Sequence, residues 1–267
     1  MRFDNVIIMT DLDGTLLTDD KRIAEKDRRA IDEFRAGGGI FTVATGRGYA
    51  MARNIIDELH IDFPCVIFNG AAVYDFAGDK FLWHSDMPGC AGEYIKRLAE
   101  EFPDIGVEIL HEKLIFVTHN NKTVEEHMAL ESLTPTYITL DELPERGILK
   151  VLIAYPPERI DRIIEFTRHE CNKGVNWVHS SPMYYEMLPE GISKGAGYKK
   201  LLELTGMGNR FTVAAGDYGN DRDMISSADL GAAVANALDS VKQAAKLIVS
   251  DNNSAPMSEI IDYIRKL

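Results

Sequence analysis

Four short stretches of this 267-residue chain concentrate residue types that can act on an electrophile. The first, Asp11-Leu12-Asp13-Gly14-Thr15, sets two carboxylates two residues apart at the end of an apolar run. On extended backbone, residues i and i+2 point the same way, so both acids can face one reacting atom, while Gly14 allows a sharp turn behind them. Acids this close repel, so either a cation lies between them or one is held protonated. An ionised Asp can attack as a nucleophile, and a protonated one can donate to a leaving group. Taken alone, D-x-D-G is equally ordinary turn chemistry at a strand end.

A second acidic stretch, Gly216-Asp217-Tyr218-Gly219-Asn220-Asp221, tips that balance. With Asp11 it offers enough carboxylate oxygen for a hard divalent ion such as Mg2+, which takes one or two carboxylates and keeps waters and a phosphate oxygen. Acids capping a helix N-terminus are the competing reading, stronger for Asp221 than for Asp217. Thr45-Gly46-Arg47 ends a strand and begins a helix, where a hydroxyl and a bare backbone N–H suit phosphate oxygens. Ser193-Lys194-Gly195, at another helix start, offers the cation, although a lysine picked blindly is more often a surface residue. Arg47 fits a substrate or cap contact, or a pair with a surface acid. Asn69, at a further strand end, fits a contact of the same kind or the orientation of Asp13 or a loop. The seven histidines have no H-E-x-x-H or H-x-H spacing, which argues against a histidine metal site.

The elements that must carry these residues follow from hydrophobic period. Val6 to Thr10 reads as a buried strand, Glu25 to Arg35 as an amphipathic helix closed by glycines, "GIFTVAT" as a strand, Tyr49 to Leu59 as a helix and "CVIFNG" as a third strand. The alternation returns after "SKGAGYKKLLELTG", with "RFTVAAGD", "LGAAVA" and "KLIVS" as strands and a closing helix from Met257. Buried strands alternating with helices imply a doubly wound, Rossmann-like parallel sheet, whose ligands bind beyond the carboxyl ends of the strands. The middle differs: "GVEIL" with "KLIFVT" and "VNWVHS" with "YYEML" are adjacent strand pairs, which implies antiparallel pairing. The expected organisation is an α/β core of residues 1–84 and 189–267 with an inserted α/β domain at 85–188.

With 45% hydrophobic and 27% charged residues the chain can bury a sizeable core. Its formal net charge of -13 repels nucleic acid and anionic membrane surfaces, so any attraction for an anionic substrate must be local. Cys65, Cys90 and Cys171 are odd in number and widely spaced, which suits reduced thiols rather than disulfides or zinc. No leader precedes Val6 and no apolar run approaches the roughly 20 residues that cross a bilayer, so the expected location is cytoplasmic.

Taken together, the motifs resemble the haloacid dehalogenase (HAD) superfamily, and within it the Cof-type phosphatases with a large α/β cap. "DLDGTLL", "TGR", "ISKG" and "GDYGND" occur in the family's order, and the resemblance covers essentially the whole chain. Ala235-Asn236-Ala237 stands where many relatives have Gly-Asn-Ala, and Asn253-Ser254-Ala255-Pro256 replaces a common Asp-Gly turn. The resemblance implies a Mg2+-dependent hydrolysis of small phosphate monoesters, phosphosugars or cofactor phosphates, through an aspartyl-phosphate. Asp11 would be the nucleophile and Asp13 the acid and base. Thr45, Gly46, Lys194 and Asn220 would hold the phosphoryl group. Asp11, the Asp13 carbonyl, Asp217 and Asp221 would hold the metal. The implied partner is a small phosphorylated metabolite, with neither nucleic acid nor membrane, and the implied state a monomer or weak homodimer. A phosphomutase would use the same nucleophile, and a non-catalytic sugar-phosphate module would not need the full acidic set. A phospho-aspartate receiver would lack the insertion and need only about half this length.

Overall fold

Val6–Thr10 has the composition of a strand covered on both faces, and in the computed structural model it forms β1 with every residue but Val6 buried. The structure describes residues 3–170 and 172–267; Cys171, one of the three thiols read as reduced, lies outside the described residues. In chain order follow α1 (Glu25–Ala36), β2 (Ile40–Val43), α2 (Tyr49–Glu58), β3 (Cys65–Ile67), β4 (Ala72–Asp75) and β5 (Lys80–His84). Then come α3 (Ala91–Glu101), β6 (Gly106–His111), β7 (Leu114–His119), α4 (Lys122–Leu130), β8 (Thr136–Tyr137), β9 (Ile148–Ala154), α5 (Ile160–His169), β10 (Val175–Ser181) and β11 (Tyr184–Pro189). The chain closes with α6 (Lys194–Thr205), β12 (Phe211–Gly216), α7 (Arg222–Ser227), β13 (Leu230–Val234), α8 (Asp239–Lys242), β14 (Leu247–Val249) and α9 (Pro256–Ile264).

These elements group into two compact units. One takes residues up to Gly46, Ile55–Trp83 and Ser193–Leu267; the other takes Arg47–Asn54 and His84–Ile192. The first unit is built on a parallel sheet in the order β14-β13-β12-β1-β2. The chain runs outward from β1 to β2, then returns on the other side of β1 through β12, β13 and β14, so the strand order reverses between β1 and β12. Loops leaving those two carboxyl ends in opposite directions open a crevice, the usual ligand position in such sheets. Ile7, Met9 and Ala214 of the sheet pack under Tyr198 and Leu201 of α6 and Met224 of α7. On α1, the buried Asp27 accepts a 2.7 Å hydrogen bond from Ser258 N of α9.

β3 touches the end of β2 through a single parallel bridge, Ala44 to Val66, and otherwise pairs antiparallel with β4 in a sheet of order β3-β4-β5. β4 and β5 carry no element in the sequence reading. They are short, and β5 is only half-buried, so no long apolar run marks them.

The second unit carries a sheet of order β10-β11-β9-β6-β7-β8, antiparallel except between β7 and β8. One face, with Val107, Ile109, Val151, Ile153, Tyr185 and Met187, packs on Ile95 and Leu98 of α3 and Ile160 and Ile163 of α5. Lys150 and Glu186 form a buried ion pair at 3.0 Å in the same unit, where Glu108 Oε1 also lies 2.9 Å from the buried His127 Nδ1. Among the described residues, no helix is long and apolar enough to cross a membrane.

Candidate active site

Asp11 continues β1 by one residue, its N–H donating to Ala215 O of β12 at 2.9 Å, so its carboxylate stands at the switch point. Directly opposite is Lys194, the first residue of α6. Its helix start is held by Ser193, whose Oγ accepts from Ala196 N at 3.1 Å, and by Asp223, whose Oδ1 accepts from Gly195 N at 3.1 Å. Lys194 Nζ lies 2.7 Å from Asp11 Oδ1 and 2.6 Å from Asp221 Oδ1, with only 1% of the residue exposed. Burial alone would push this amine toward its neutral form, but Asp11 and Asp221 outweigh it and hold the ammonium above its ordinary pKa.

Asp221 is fully buried, and its second oxygen accepts from the N–H groups of Asp217 and Tyr218, both at 3.0 Å. The loop therefore wraps tightly around its own acid. A Cβ on Gly216 would lie 2.4 Å from Asp221 Cβ, a distance no side chain tolerates. Asp217 is half-buried, and its Oδ1 accepts a 2.7 Å hydrogen bond from Thr15 Oγ1. Burial first, and the Asp221 charge next, push Asp217 up to about 6. Asp11 is likewise raised well above the usual carboxylate range, by burial first; Lys194 pulls it down, while Asp221 and Asp217 push it up.

One oxygen each of Asp11, Asp217 and Asp221 lie within 4.8 Å of one another. Three carboxylates against the Lys194 ammonium leave the cluster short of positive charge, and this repulsion adds to burial in raising Asp11 and Asp217. Hard oxygen donors only, with neither sulfur nor imidazole among them, suit Mg2+ far better than zinc. The donor set therefore fits a divalent cation. The loop after Asp13 passes hard against it: Gly14 has φ +74°, and a Cβ there would sit 2.6 Å from Asp217 Oδ2.

Asp13 is differently placed. Its side chain is 39% exposed, and its Oδ1 lies 2.7 Å from Lys21 Nζ. Thr45 is buried at the end of β2, where its carbonyl accepts from Asn69 N at 3.0 Å, and a Cβ on Gly46 would lie 3.1 Å from the Asn69 amide. Phe68, Asn69 and Gly70 adopt φ of +53°, +54° and +100°. Such backbone costs of order 1 kcal/mol or more for each non-glycine residue and persists where the surroundings over-determine it. Those surroundings are explicit: a Cβ on Gly70 would meet Ser193 O at 1.9 Å, and one on Gly197 would meet Gly70 Cα at 2.7 Å, so α6 is seated directly on this turn. Asn69 Oδ1 accepts from Asn220 Nδ2 at 2.9 Å, which ties the end of β3 to the acidic loop after β12.

The structure thus brings Asp11, Asp217, Asp221 and Lys194 into one cluster and ties Asn69 to Asn220, with Thr45 and Gly46 beside that pair. Asp13 stands two residues on, beside Lys21. Arg47 belongs to the second unit, where Nη1 is 2.5 Å from Glu131 Oε2 and donates to Met51 O at 3.3 Å. Sequence reasoning did not single out Thr15, Asp223, Lys21 or Glu131. Thr15 and Asp223 lie within or beside the quoted motifs, whereas Glu131 carries no local signal.

A model of the haloacid dehalogenase-like hydrolases matches residues 8–261. The chain is 26% identical over 256 residues to the 5-amino-6-(5-phospho-D-ribitylamino)uracil phosphatase YitU of Bacillus subtilis (strain 168), covering 92% of each. It is 24% identical over 265 residues to the pyridoxal phosphate phosphatase YbhA of Escherichia coli (strain K12), covering 96% of this chain and 97% of the other. In fold it is similar to the crystal structure of a haloacid dehalogenase-like hydrolase from Bacteroides thetaiotaomicron, with a TM-score of 0.83 at 24% identity over 97% of this chain and 98% of that one.

Proposed function

From a chain that belongs to the haloacid dehalogenase-like hydrolases and is a phosphoric monoester hydrolase, we propose a Mg2+-dependent phosphatase that works through an aspartyl-phosphate on Asp11. The observation that supports this most directly is Lys194 bridging Asp11 and Asp221 at 2.7 and 2.6 Å beside Asp217. A carboxylate so held is fixed in orientation and faces a compensating positive charge, as an attacking group needs to be.

In the first half-reaction an Asp11 oxygen forms a bond to phosphorus while the bond from phosphorus to the leaving oxygen breaks. Its electron pair goes to that oxygen, which takes a proton from Asp13 and departs as the alcohol. In the second, water attacks phosphorus and gives its proton to Asp13, and the bond to Asp11 breaks, returning its electrons to the carboxylate. Asp13 ends as it began, and the balance is ester plus water to alcohol plus phosphate. A positioned acid and base of this kind contributes about 10²–10⁴ in rate. Thr45, the Gly46 N–H, Lys194 and Asn220 are the donors for the equatorial phosphoryl oxygens. Asp11, the Asp13 carbonyl, Asp217 and Asp221 would hold Mg2+, whose charge lets a phosphate dianion approach a carboxylate.

The substrate class is a small phosphate monoester, a phosphosugar or cofactor phosphate. The names of the two relatives support it, since a phosphoribityl uracil and pyridoxal phosphate are both compact esters of this type. The segment 85–188 is read as a cap that selects the leaving group, and residues 1–84 with 189–267 as the catalytic core, in a cytoplasmic enzyme.

The test is phosphate release from a panel of sugar, nucleotide and cofactor monophosphates with Mg2+, wild type beside Asp11→Asn. Release that vanishes in the variant is the expected result. Release that survives it, or none from wild type on any ester, overturns the proposal.

A further inference from the structure

Asp13 poses a problem of placement. Its neighbour Asp11 is 6% exposed and gripped by Lys194, but Asp13 has a 39% exposed side chain, and a short acid so open to solvent has several rotamers within reach. Lys21 meets it from a tight turn, Nζ 2.7 Å from Asp13 Oδ1. Thr18 N donates to Arg22 O at 2.9 Å, Lys21 N donates to Thr18 O at 2.8 Å, and Lys21 itself adopts φ +58°. That left-handed conformation is unfavourable for a lysine and aims its side chain back along the loop toward Asp13 Oδ1.

The turn is not free to move. Asn252, 4% exposed, donates from Nδ2 to Leu17 O and to Asp19 Oδ1, both at 3.0 Å. Asn253 and Asp19 exchange two more hydrogen bonds, Asn253 Nδ2 to Asp19 Oδ2 and Asp19 N to Asn253 Oδ1, each 3.0 Å. Asn236 completes the clamp, accepting from Asn252 N at 3.0 Å and donating to Gly14 O at 2.8 Å. Both ends of the segment from Gly14 to Asp19 are therefore pinned by asparagines from the loops after β13 and β14. This is the turn that departs from the common Asp-Gly form, and here it holds the turn that carries Lys21.

We infer that Lys21 is a positioning residue for Asp13, holding one carboxylate oxygen so that the side chain is oriented to serve the leaving oxygen. This rests on the reading of Asp13 as the acid and base. A half-exposed ion pair is worth little, so removing it costs rate up to about fivefold and not orders of magnitude. The effect also falls only where proton donation matters: departure of a basic alkoxide needs it, departure of p-nitrophenolate does not.

The experiment compares kcat/KM, which reports the steps through leaving-group departure, for an alkyl phosphate and p-nitrophenyl phosphate in wild type, Lys21→Met and Lys21→Arg. The expected result is a fall of about threefold to fivefold on the alkyl ester in Lys21→Met, none on the aryl ester, and recovery in Lys21→Arg. Equal losses on both esters, no loss on either, or no recovery with arginine overturns the inference. Asp11→Asn assayed alongside separates the two levels: activity surviving that change sinks the phosphatase reading itself, whereas an inert Asp11→Asn with an indifferent Lys21→Met sinks only the role of Lys21.

Discussion

Asp27 gives a stability prediction whose sign and size both come from its surroundings. It lies in the first turn of α1, fully buried, and its Oδ1 accepts from Ser258 N at 2.7 Å. It thereby caps α9, whose own N-terminal residue Ala255 has φ +59° and no side chain to offer. Two effects compete. Burial penalises the carboxylate, and Oδ2 has no hydrogen-bond partner; the N–H groups of Ser258 and Met257 favour it. Burial wins and pushes Asp27 from 3.8 up to about 6. A folded-state pKa above the unfolded one means that the folded chain holds the proton more tightly. The stabilisation is then fully present below about 3.8 and is lost as pH rises through about 6. At about 1.36 kcal/mol per pKa unit the full loss is about 3 kcal/mol, of which about 2 falls between pH 4.5 and 8. Asp27→Asn keeps an acceptor for Ser258 N and removes the ionisation, so any other consequence of the amide is a constant offset. Urea unfolding should be followed by Trp83 in a Trp177→Phe background, which leaves a single tryptophan emitter, in the first unit. Wild type should lose about 2 kcal/mol relative to Asp27→Asn across that range. A difference that does not change with pH, or wild type gaining as pH rises, would show that the helix N-terminus and not burial governs this acid.

Further perturbations bear on the site. Lys194→Met leaves two buried carboxylates unpaired and should cost about 3–5 kcal/mol in urea unfolding and at least about 10² in kcat for phosphate release; a loss under about 1 kcal/mol would contradict the bridged geometry. Gly216→Ala drives a methyl into Asp221 and should destabilise by about 1–3 kcal/mol with loss of turnover, whereas Gly208→Ala, with nothing within 4 Å of its Cβ, should be neutral in both assays. Cys65 is buried and its thiol is pushed up to about 12 by burial, so iodoacetamide should leave it unmodified in peptide mass mapping until urea unfolds the first unit; rapid alkylation of the native protein would refute that burial.

Much of this molecule is legible in the chain because its chemistry stands where apolar runs stop. A strand covered on both faces must be continuously hydrophobic, so "VIIMT" and "RFTVAAG" announce themselves, and Asp11 and Asp217 can only be at their ends. The family motifs mark Thr45, Lys194, Asn220 and Asp221 by the same local logic, and adjacent strand pairs distinguish the second sheet from the first. β4 and β5 escaped because strands of four and five residues are too short to show a period, and β5 is half-exposed as well. What the tertiary structure alone decided is who shares a charge with whom. Lys194 between Asp11 and Asp221, Thr15 on Asp217 across 202 residues, Lys21 on Asp13, and Asp27 capping a helix 231 residues away are all pairings between segments far apart or turned back on themselves. The strength of an ion pair or a buried hydrogen bond depends on separation and on how far water is excluded, and neither quantity exists until β1, β12 and α6 have packed.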